Sequence, residues 1–345
     1  MDAKSHYVHQ AHHGRTYQEA HKSRQEAVTK PLREYHNDVK NRLIHRFSRE
    51  VEDHLDLACG RGGDAWKWVG ARIHHVLGVD IAPSLLDDAR ERIDIIRQKK
   101  PDHDLTAEFM ESDALGKHDI EWGQTFDTVS CMFAAHYLFE SKESANQFFE
   151  NAAAALKEGG YFYGTTICAK RVLALLGKEK EYRNSVLLIK ALWDQPSKFG
   201  SGYTFALANT VTNHSDEADD VEGGATEYLT FFSVFTKLAE RHGLYPVRDL
   251  NWSFGRNKRS RRDTLFEREP ADHQEAFRYF QPQFCAHPNS QEQGDAAEAD
   301  NGLLSDLEKA SRLYAAFVFQ KDTSRMKRSA SDDGQPVAQR AKLNA

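Results

Sequence analysis

The first concentration of chemistry in the chain is a run of small and acidic residues, Leu55-Asp56-Leu57-Ala58-Cys59-Gly60-Arg61-Gly62-Gly63-Asp64. Its glycines let the backbone turn tightly and approach a ligand closely. Asp80 ends a second expected strand and Asp113 follows a third. At such strand ends a carboxylate can accept both hydroxyls of a ribose, and the next acid lies where an adenine would sit. The stretch Gly60-Arg61-Gly62-Gly63-Asp64-Ala65 also fits a G-x-G-x-x-A dinucleotide loop with an acid about 20 residues on. Asp56 and Asp64 argue against that ligand, because both would repel its pyrophosphate. Two acids instead suit a cationic sulfonium that carries an amino group. Asp80 and Asp113 at matching strand ends disfavour a loop that only turns the chain.

A second locus is Phe133-Ala134-Ala135-His136-Tyr137-Leu138-Phe139-Glu140-Ser141. Taken singly, its His-Tyr pair reads as packing, and Lys40, Lys67 and Arg92 read as solvated helix charges. Together with Arg61, the last two would give a cationic trio suited to a polyphosphate. His6, His9, His12 and His13 could bind metal, but a flexible arm is the favoured reading, so no metal is expected. Lys258-Arg259-Ser260-Arg261-Arg262 fits a solvated loop, a contact to RNA phosphates or a nuclear signal. Cys59, Cys131, Cys168 and Cys285 make no CxxC pair and no zinc spacing, which points to reduced thiols.

These groups need a scaffold, and the chain alternates strand and helix signals. A helix is expected after Thr29, with Pro31 in its first turn and Tyr35, Val39, Leu43 and Phe47 forming an apolar stripe. Strands are expected at His54 to Ala58, Val76 to Asp80, Thr106 to Met110, Phe126 to Met132 and Tyr161 to Thr166, the last entered through Gly159-Gly160. Helices are expected from Asp64, from a Ser84 cap to about Gln98, and from Ser144 to Leu156. Such alternation gives an α/β doubly wound parallel sheet with helices on both faces. Later, Glu227 to Arg241 reads as a helix, with Tyr245 to Trp252 and Ala315 to Gln320 as strands. Residues 178–224 read as an insertion that could roof the site.

The 345 residues carry a net charge of −6, which disfavours a long grip on nucleic acid and leaves room for a local one. Apolar residues at 40% and charged residues at 28% are ordinary for a globular chain. No apolar run is long enough to span a bilayer, so no membrane partner is expected. Met1 to Arg15 is polar and reads as no secretory signal. The expected organisation is a flexible arm over 1–28, one domain over 29–321 with polar stretches at 215–222 and about 290–300, and a disordered tail over 322–345.

With those motifs in view, the chain resembles the eukaryotic and viral mRNA cap guanine-N7 methyltransferases, from about Leu32 to Lys321. The resemblance rests on Leu32-Arg33-Glu34-Tyr35-His36-Asn37-Asp38-Val39-Lys40, the glycine loop, Gly78-Val79-Asp80-Ile81-Ala82 and Ala135-His136-Tyr137-Leu138-Phe139-Glu140-Ser141. The loop is shared by many methyltransferases, whereas the HYxFES and NxxK patterns together are specific. The resemblance implies a class I methyltransferase, Rossmann-like fold with a substrate-covering insertion. It implies S-adenosyl-L-methionine as cofactor, S-adenosyl-L-homocysteine as product, and the 5′ GpppN end of capped RNA as partner. Lys40, Ala58, Asp64, Asp80, Asp113, Met132, Phe133 and Tyr137 fall on cofactor positions. His36, Asn37, Arg61, Lys67, Arg92, His136, Glu227 and Tyr314 fall on the cap side. His36 stands where the family has asparagine, Ala58 where it has glycine, Met132 where it has glutamine and Ile167 where it has proline.

The reaction so implied needs no dedicated catalytic acid or base, because guanine N7 has a lone pair and no proton to lose. His136, Tyr137 and Glu227 would position the base for in-line displacement. The resemblance extends to RNA triphosphatase, guanylyltransferase or RNA polymerase II machinery as partners. It also extends to a nuclear location, or a cytoplasmic one for a viral enzyme. A class I methyltransferase of another substrate and a non-catalytic cap-binding scaffold are the alternatives.

Overall fold

The computed structural model describes residues 27–210, 223–247, 250–252, 264–285 and 295–325. The His-rich arm, the acidic stretch at 215–222, the basic run at 258–262 and most of the tail lie outside the described residues.

Chain order gives α1 (Lys30–Phe47), β1 (Asp53–Leu57), α2 (Ala65–Ala71), β2 (His75–Asp80), α3 (Pro83–Lys99), β3 (Thr106–Glu111) and β4 (Phe126–Met132). A 3₁₀ turn, Ala135–Glu140, leads into α4 (Lys142–Ala155), β5 (Leu156–Ile167) and α5 (Ala169–Leu176). Then come β6 (Glu181–Arg183), β7 (Leu187–Ala191), β8 (Gly202–Leu207), β9 (Ala225–Tyr228) and α6 (Phe232–Arg241). β10 (Leu244–Pro246), β11 (Phe277–Tyr279), α7 (Asp295–Arg312) and β12 (Tyr314–Lys321) close the order.

The main sheet runs β10-β12-β5-β4-β1-β2-β3, with β11 also paired to β12. β1 to β5 are mutually parallel, and β10, β11 and β12 add antiparallel partners at one edge. The winding direction reverses between β1 and β4. Their carboxyl ends are therefore the crevice in which a doubly wound sheet takes its ligand. In β1 the two-residue period separates the faces: Leu55 and Leu57 pack with Phe148, Phe149 and Phe235, while His54 and Asp56 point the other way, toward the side where α1 packs. The expected α1 stripe of Tyr35, Val39, Leu43 and Phe47 is buried in that second layer.

Five expectations need correction. Ser84 does not cap α3: Ala82 does, and Pro83 opens the helix with its preset φ. β5 begins at Leu156, and Gly159, at φ 77°, sits inside it where the pairing with β4 shifts register. Glu227 is on strand β9 and the helix starts only at Phe232, because Thr226-Glu227-Tyr228 zips antiparallel onto β8. β10 ends at Pro246, whose ring nitrogen has no hydrogen to continue a ladder. Residues 295–300, read as loop, belong to α7.

The segment after α5 forms a second, four-stranded antiparallel sheet in the order β6-β7-β8-β9, and its last strand lies just past residue 224. The first residues of the expected tail are also tied down: the Asp322 amide donates to the Gly243 carbonyl at 2.9 Å, and Thr323 donates to Glu158. Among the described residues, no helix is long and apolar enough to cross a membrane.

Candidate active site

The loop after β1 meets the end of β2 through Asp80. Its Oδ2 accepts the Gly60 amide at 2.8 Å and its Oδ1 accepts the Ala82 amide at 3.0 Å. Burial raises the Asp80 carboxyl and these amides oppose the rise. A carboxylate offers about four lone-pair positions, so Asp80 keeps acceptor capacity for hydroxyls. One strand over, the Ser112 amide donates to the Asp80 carbonyl, which sets Asp113 beside this end; Asp113 is half exposed and pairs with Lys117 at 2.6 Å.

Ala58 begins the loop at φ 56°, a left-handed conformation that suits glycine. Ala58→Gly is expected to relieve about 1 kcal/mol of backbone strain, partly offset by the freer unfolded chain. Chemical denaturation should show equal or higher stability, and titration should show tighter cofactor binding. Gly62, at φ 60°, is pressed against α3: a Cβ there would stand 3.1 Å from that of Ala89.

Asp64 is the buried electrostatic centre of the loop. Lys40 from α1 and Lys67 from α2 both reach its Oδ1 at 2.8 Å, and Lys67 also donates to the Asn37 amide oxygen at 2.9 Å. Burial alone would raise this carboxyl; the two ammoniums outweigh it and hold Asp64 well below the usual carboxylate range. Arg61 pairs with Asp88 at 3.2 Å, and the Arg92 Nε donates to the Arg61 carbonyl at 3.0 Å. The expected cationic trio is thus gathered at one place, with each member already holding a protein partner.

Deeper along α1 lies a cavity of about 250 Å³. Lys40, Asn37 and His36 form one side, Phe133, His136 and Tyr137 another, and Glu227 and Tyr314 close it. Asp80, Asp113, Arg61, Lys67 and Arg92 do not line it, and neither do Ala58, Asp64 or Met132; Lys40 joins the two halves by lining the cavity while bonding Asp64. Met132 ends β4 and is partly buried.

The far wall is a buried imidazole beside a buried carboxyl group. His136 Nε2 stands 3.3 Å from Glu227 Oε1, each side chain no more than 3% exposed. Glu227 Oε2 accepts the Tyr203 hydroxyl at 3.0 Å, across the register pair that joins β8 to β9. At 3.3 Å the His136–Glu227 contact is poorly aligned, and both imidazole nitrogens lack a good hydrogen-bond partner. Such buried polar atoms are costly unless a ligand completes them.

His36 stacks on Phe133, with centroids 4.8 Å apart, and its ring edge faces Tyr314. Phe133 itself holds φ 59°, fixed by its amide donating to Thr165, and such strain in a bulky residue accumulates at functional sites. His36 Nε2 is 3.0 Å from the Ser311 hydroxyl. Burial, then Lys40, pushes His36 down to about 3. The folded state therefore binds fewer protons than the unfolded chain between pH 6.5 and 3, so this residue's contribution falls as pH drops through that window. His36→Gln should lessen the loss of stability from pH 6.5 to 5 by up to about 2 kcal/mol in urea titrations.

Sequence reasoning missed Thr29, Arg33, Phe205, Leu207, Asn209 and Thr210, which also line the cavity, and Tyr203 behind Glu227. The alternation of Tyr203, Phe205 and Leu207 is the sequence signal of the strand that brings them there.

The sequence profile of the mRNA (guanine-N(7))-methyltransferase domain matches residues 2–322. A Drosophila melanogaster protein named mRNA cap guanine-N(7) methyltransferase is 28% identical over 351 residues, covering 92% of this chain and 78% of that one. A Caenorhabditis briggsae protein of the same name is 31% identical, covering 68% of this chain and 63% of its own. Arabidopsis thaliana mRNA cap guanine-N(7) methyltransferase 1 is also 31% identical, covering 68% and 65%. The chain thus spans a little under two thirds of the worm and plant relatives.

Proposed function

Because the chain belongs to the mRNA (guanine-N(7))-methyltransferase family, we propose that it methylates guanine N7 at the 5′ GpppN end of capped RNA, using S-adenosylmethionine. The observation that carries the substrate reading is the His136–Glu227 pair, a donor-capable ring and a carboxylate buried on the wall of one cavity, with both ring nitrogens still to be satisfied. A guanine edge offers complementary acceptors and donors in one plane.

The donor set also fits the cofactor. Asp64 and Lys40 match an ammonium and a carboxylate, Asp80 a ribose, and Asp113 the adenine side, with Met132, Phe133 and Tyr137 along the boundary. S-adenosylmethionine, when bound, supplies an activated methyl group that needs no acid to leave. The protein's own part is then alignment and exclusion of water. Phe133 and Tyr314 offer ring surfaces, Tyr137, which lines the cavity, would stand between cofactor and base, and Glu227 would stabilise the positive charge that grows on guanine. His36 and Asn37 complete the wall along α1. Arg61, Lys67 and Arg92 would turn from their present partners toward the triphosphate. A nuclear location and partnership with triphosphatase, guanylyltransferase or polymerase belong to the same proposal.

The direct test supplies labelled cofactor with GpppG-capped and with uncapped RNA. Label should enter capped RNA alone, at N7; label elsewhere, or none, rejects the reading.

A further inference from the structure

Beneath the cofactor loop, the central sheet buries a line of polar groups that methyl transfer does not use. The Ser130 hydroxyl lies 2.5 Å from Asp56 Oδ1, and His54 Nε2 lies 3.0 Å from Ser130. On its other side, His54 Nδ1 lies 2.8 Å from the Thr128 hydroxyl. Thr128 is 2.8 Å from Ser48, which is 2.6 Å from the Tyr163 hydroxyl. All six residues are buried. Apolar side chains would fill this layer at lower desolvation cost, so the line calls for a role.

Each hydroxyl, and a neutral imidazole, can give one hydrogen bond and take one along such a line. Burial keeps His54 neutral, down to about 3. The line therefore has two coherent settings. With Asp56 ionised, bonds are donated from Tyr163 through Ser48 and Thr128 to His54 Nδ1, then from His54 Nε2–H through Ser130 to Asp56. With Asp56 protonated, every donor turns round and His54 carries its hydrogen on Nδ1. The settings differ by one proton, that of Asp56.

Asp56 is placed to feel a ligand's charge. Asp64 at the start of α2 and Asp80 on β2 face it with like charge; Lys40 on α1 opposes them, and the Cys59 and Cys131 thiols and the Tyr163 hydroxyl adjoin it. Burial first, then Asp64, raises the Asp56 carboxyl to about 7. Asp64 has two ammonium partners, whereas Asp56 has the Ser130 hydroxyl at the end of the line.

We propose that His54 and Ser130 form a reversible hydrogen-bond relay that sets the charge of Asp56, so that binding the cationic cofactor turns the relay and releases the Asp56 proton to solvent. His54 is then a positioning residue acting through Ser130. The proposal rests on the cofactor reading above.

Calorimetric titration of the full chain with S-adenosylmethionine at pH 7, in phosphate and in Tris, measures the protons released. About half a proton is expected, and fewer with S-adenosylhomocysteine, which lacks the sulfonium charge. Nitrogen NMR of the histidines should show His54 moving from the Nδ1–H to the Nε2–H tautomer on binding. His54→Val should move the release to higher pH and weaken cofactor binding about tenfold at pH 6.5, with recovery by pH 8.5. His54→Gln, which keeps a donor and an acceptor, should stay near wild type, and Ser130→Ala should behave as His54→Val. Binding without proton release, or release unchanged in both broken relays, overturns the proposal. Failure of wild-type protein to bind the cofactor at any pH rejects the cofactor reading itself, and the relay's role with it.

Discussion

Glu227→Ala is expected to lower the rate of cap methylation by about 10²- to 10³-fold, while the affinity for S-adenosylhomocysteine changes little. The reason is placement. Glu227 stands on the wall opposite the cofactor loop, beside His136 and Tyr203, and touches none of the cofactor-side acids. On the proposed reading, N7 takes the methyl group and guanine becomes a cation in the cavity that Glu227 lines, where a fixed, buried carboxylate acts through a low dielectric. Glu227→Gln separates shape from charge: it keeps the volume and an acceptor for Tyr203, so a large residual defect in turnover would be electrostatic. Alanine also strands the Tyr203 hydroxyl, at about 1–3 kcal/mol of stability, so thermal melts should accompany the kinetics. Equal losses in turnover and cofactor binding would reject the assignment.

Asp64→Asn should have the largest effect on the folded state. Two partly buried ammoniums share one oxygen of this buried carboxylate, and removing its charge takes that partner from both, at up to about 3–5 kcal/mol. Cofactor binding should fall with it, since Lys40 loses its anchor. The pH dependence has a definite sign. Lys40 and Lys67 outweigh the upward push of burial and hold the Asp64 carboxyl below its unfolded value, so its contribution is complete above about pH 4 and fades only as pH falls further. The gap between wild type and Asp64→Asn in urea titrations should therefore be flat from pH 5 to 8. Adding Lys67→Met to Asp64→Asn should recover part of the loss; no recovery would mean that the lysines are not what Asp64 stabilises.

The parts of this structure that were legible in advance are those where a local pattern decides the outcome. The α1 stripe, the first four alternating strands and the glycine loop follow from periodicity and from backbone freedom, and each lies on its expected element. Family motifs point to His136 and Glu227, yet the local sequence around Glu227 favours the start of a helix. Its strand depends on β8, more than 20 residues earlier in the chain, and pairing at that separation leaves no local trace. The engaged state of Arg61, Lys67 and Arg92 was hidden for a related reason. Asp88 is one helical turn from Arg92 on α3, but its pairing with Arg61 exists only once α3 packs against the loop. The His54 line was equally invisible: a lone histidine in a strand says nothing about the hydroxyls that three other elements bring to it.

The hairpin of β8 and β9 fixes Glu227 by its register opposite Tyr203 and not by the chain that joins the strands. The stretch between Leu207 and Ala225 can therefore grow or shrink, as in any ladder whose rungs are already paired, while Glu227 stays opposite Tyr203. Insertions or deletions there are expected to leave the Glu227 carboxylate on the cavity wall unmoved, which thermal melts and turnover of loop-length variants would check.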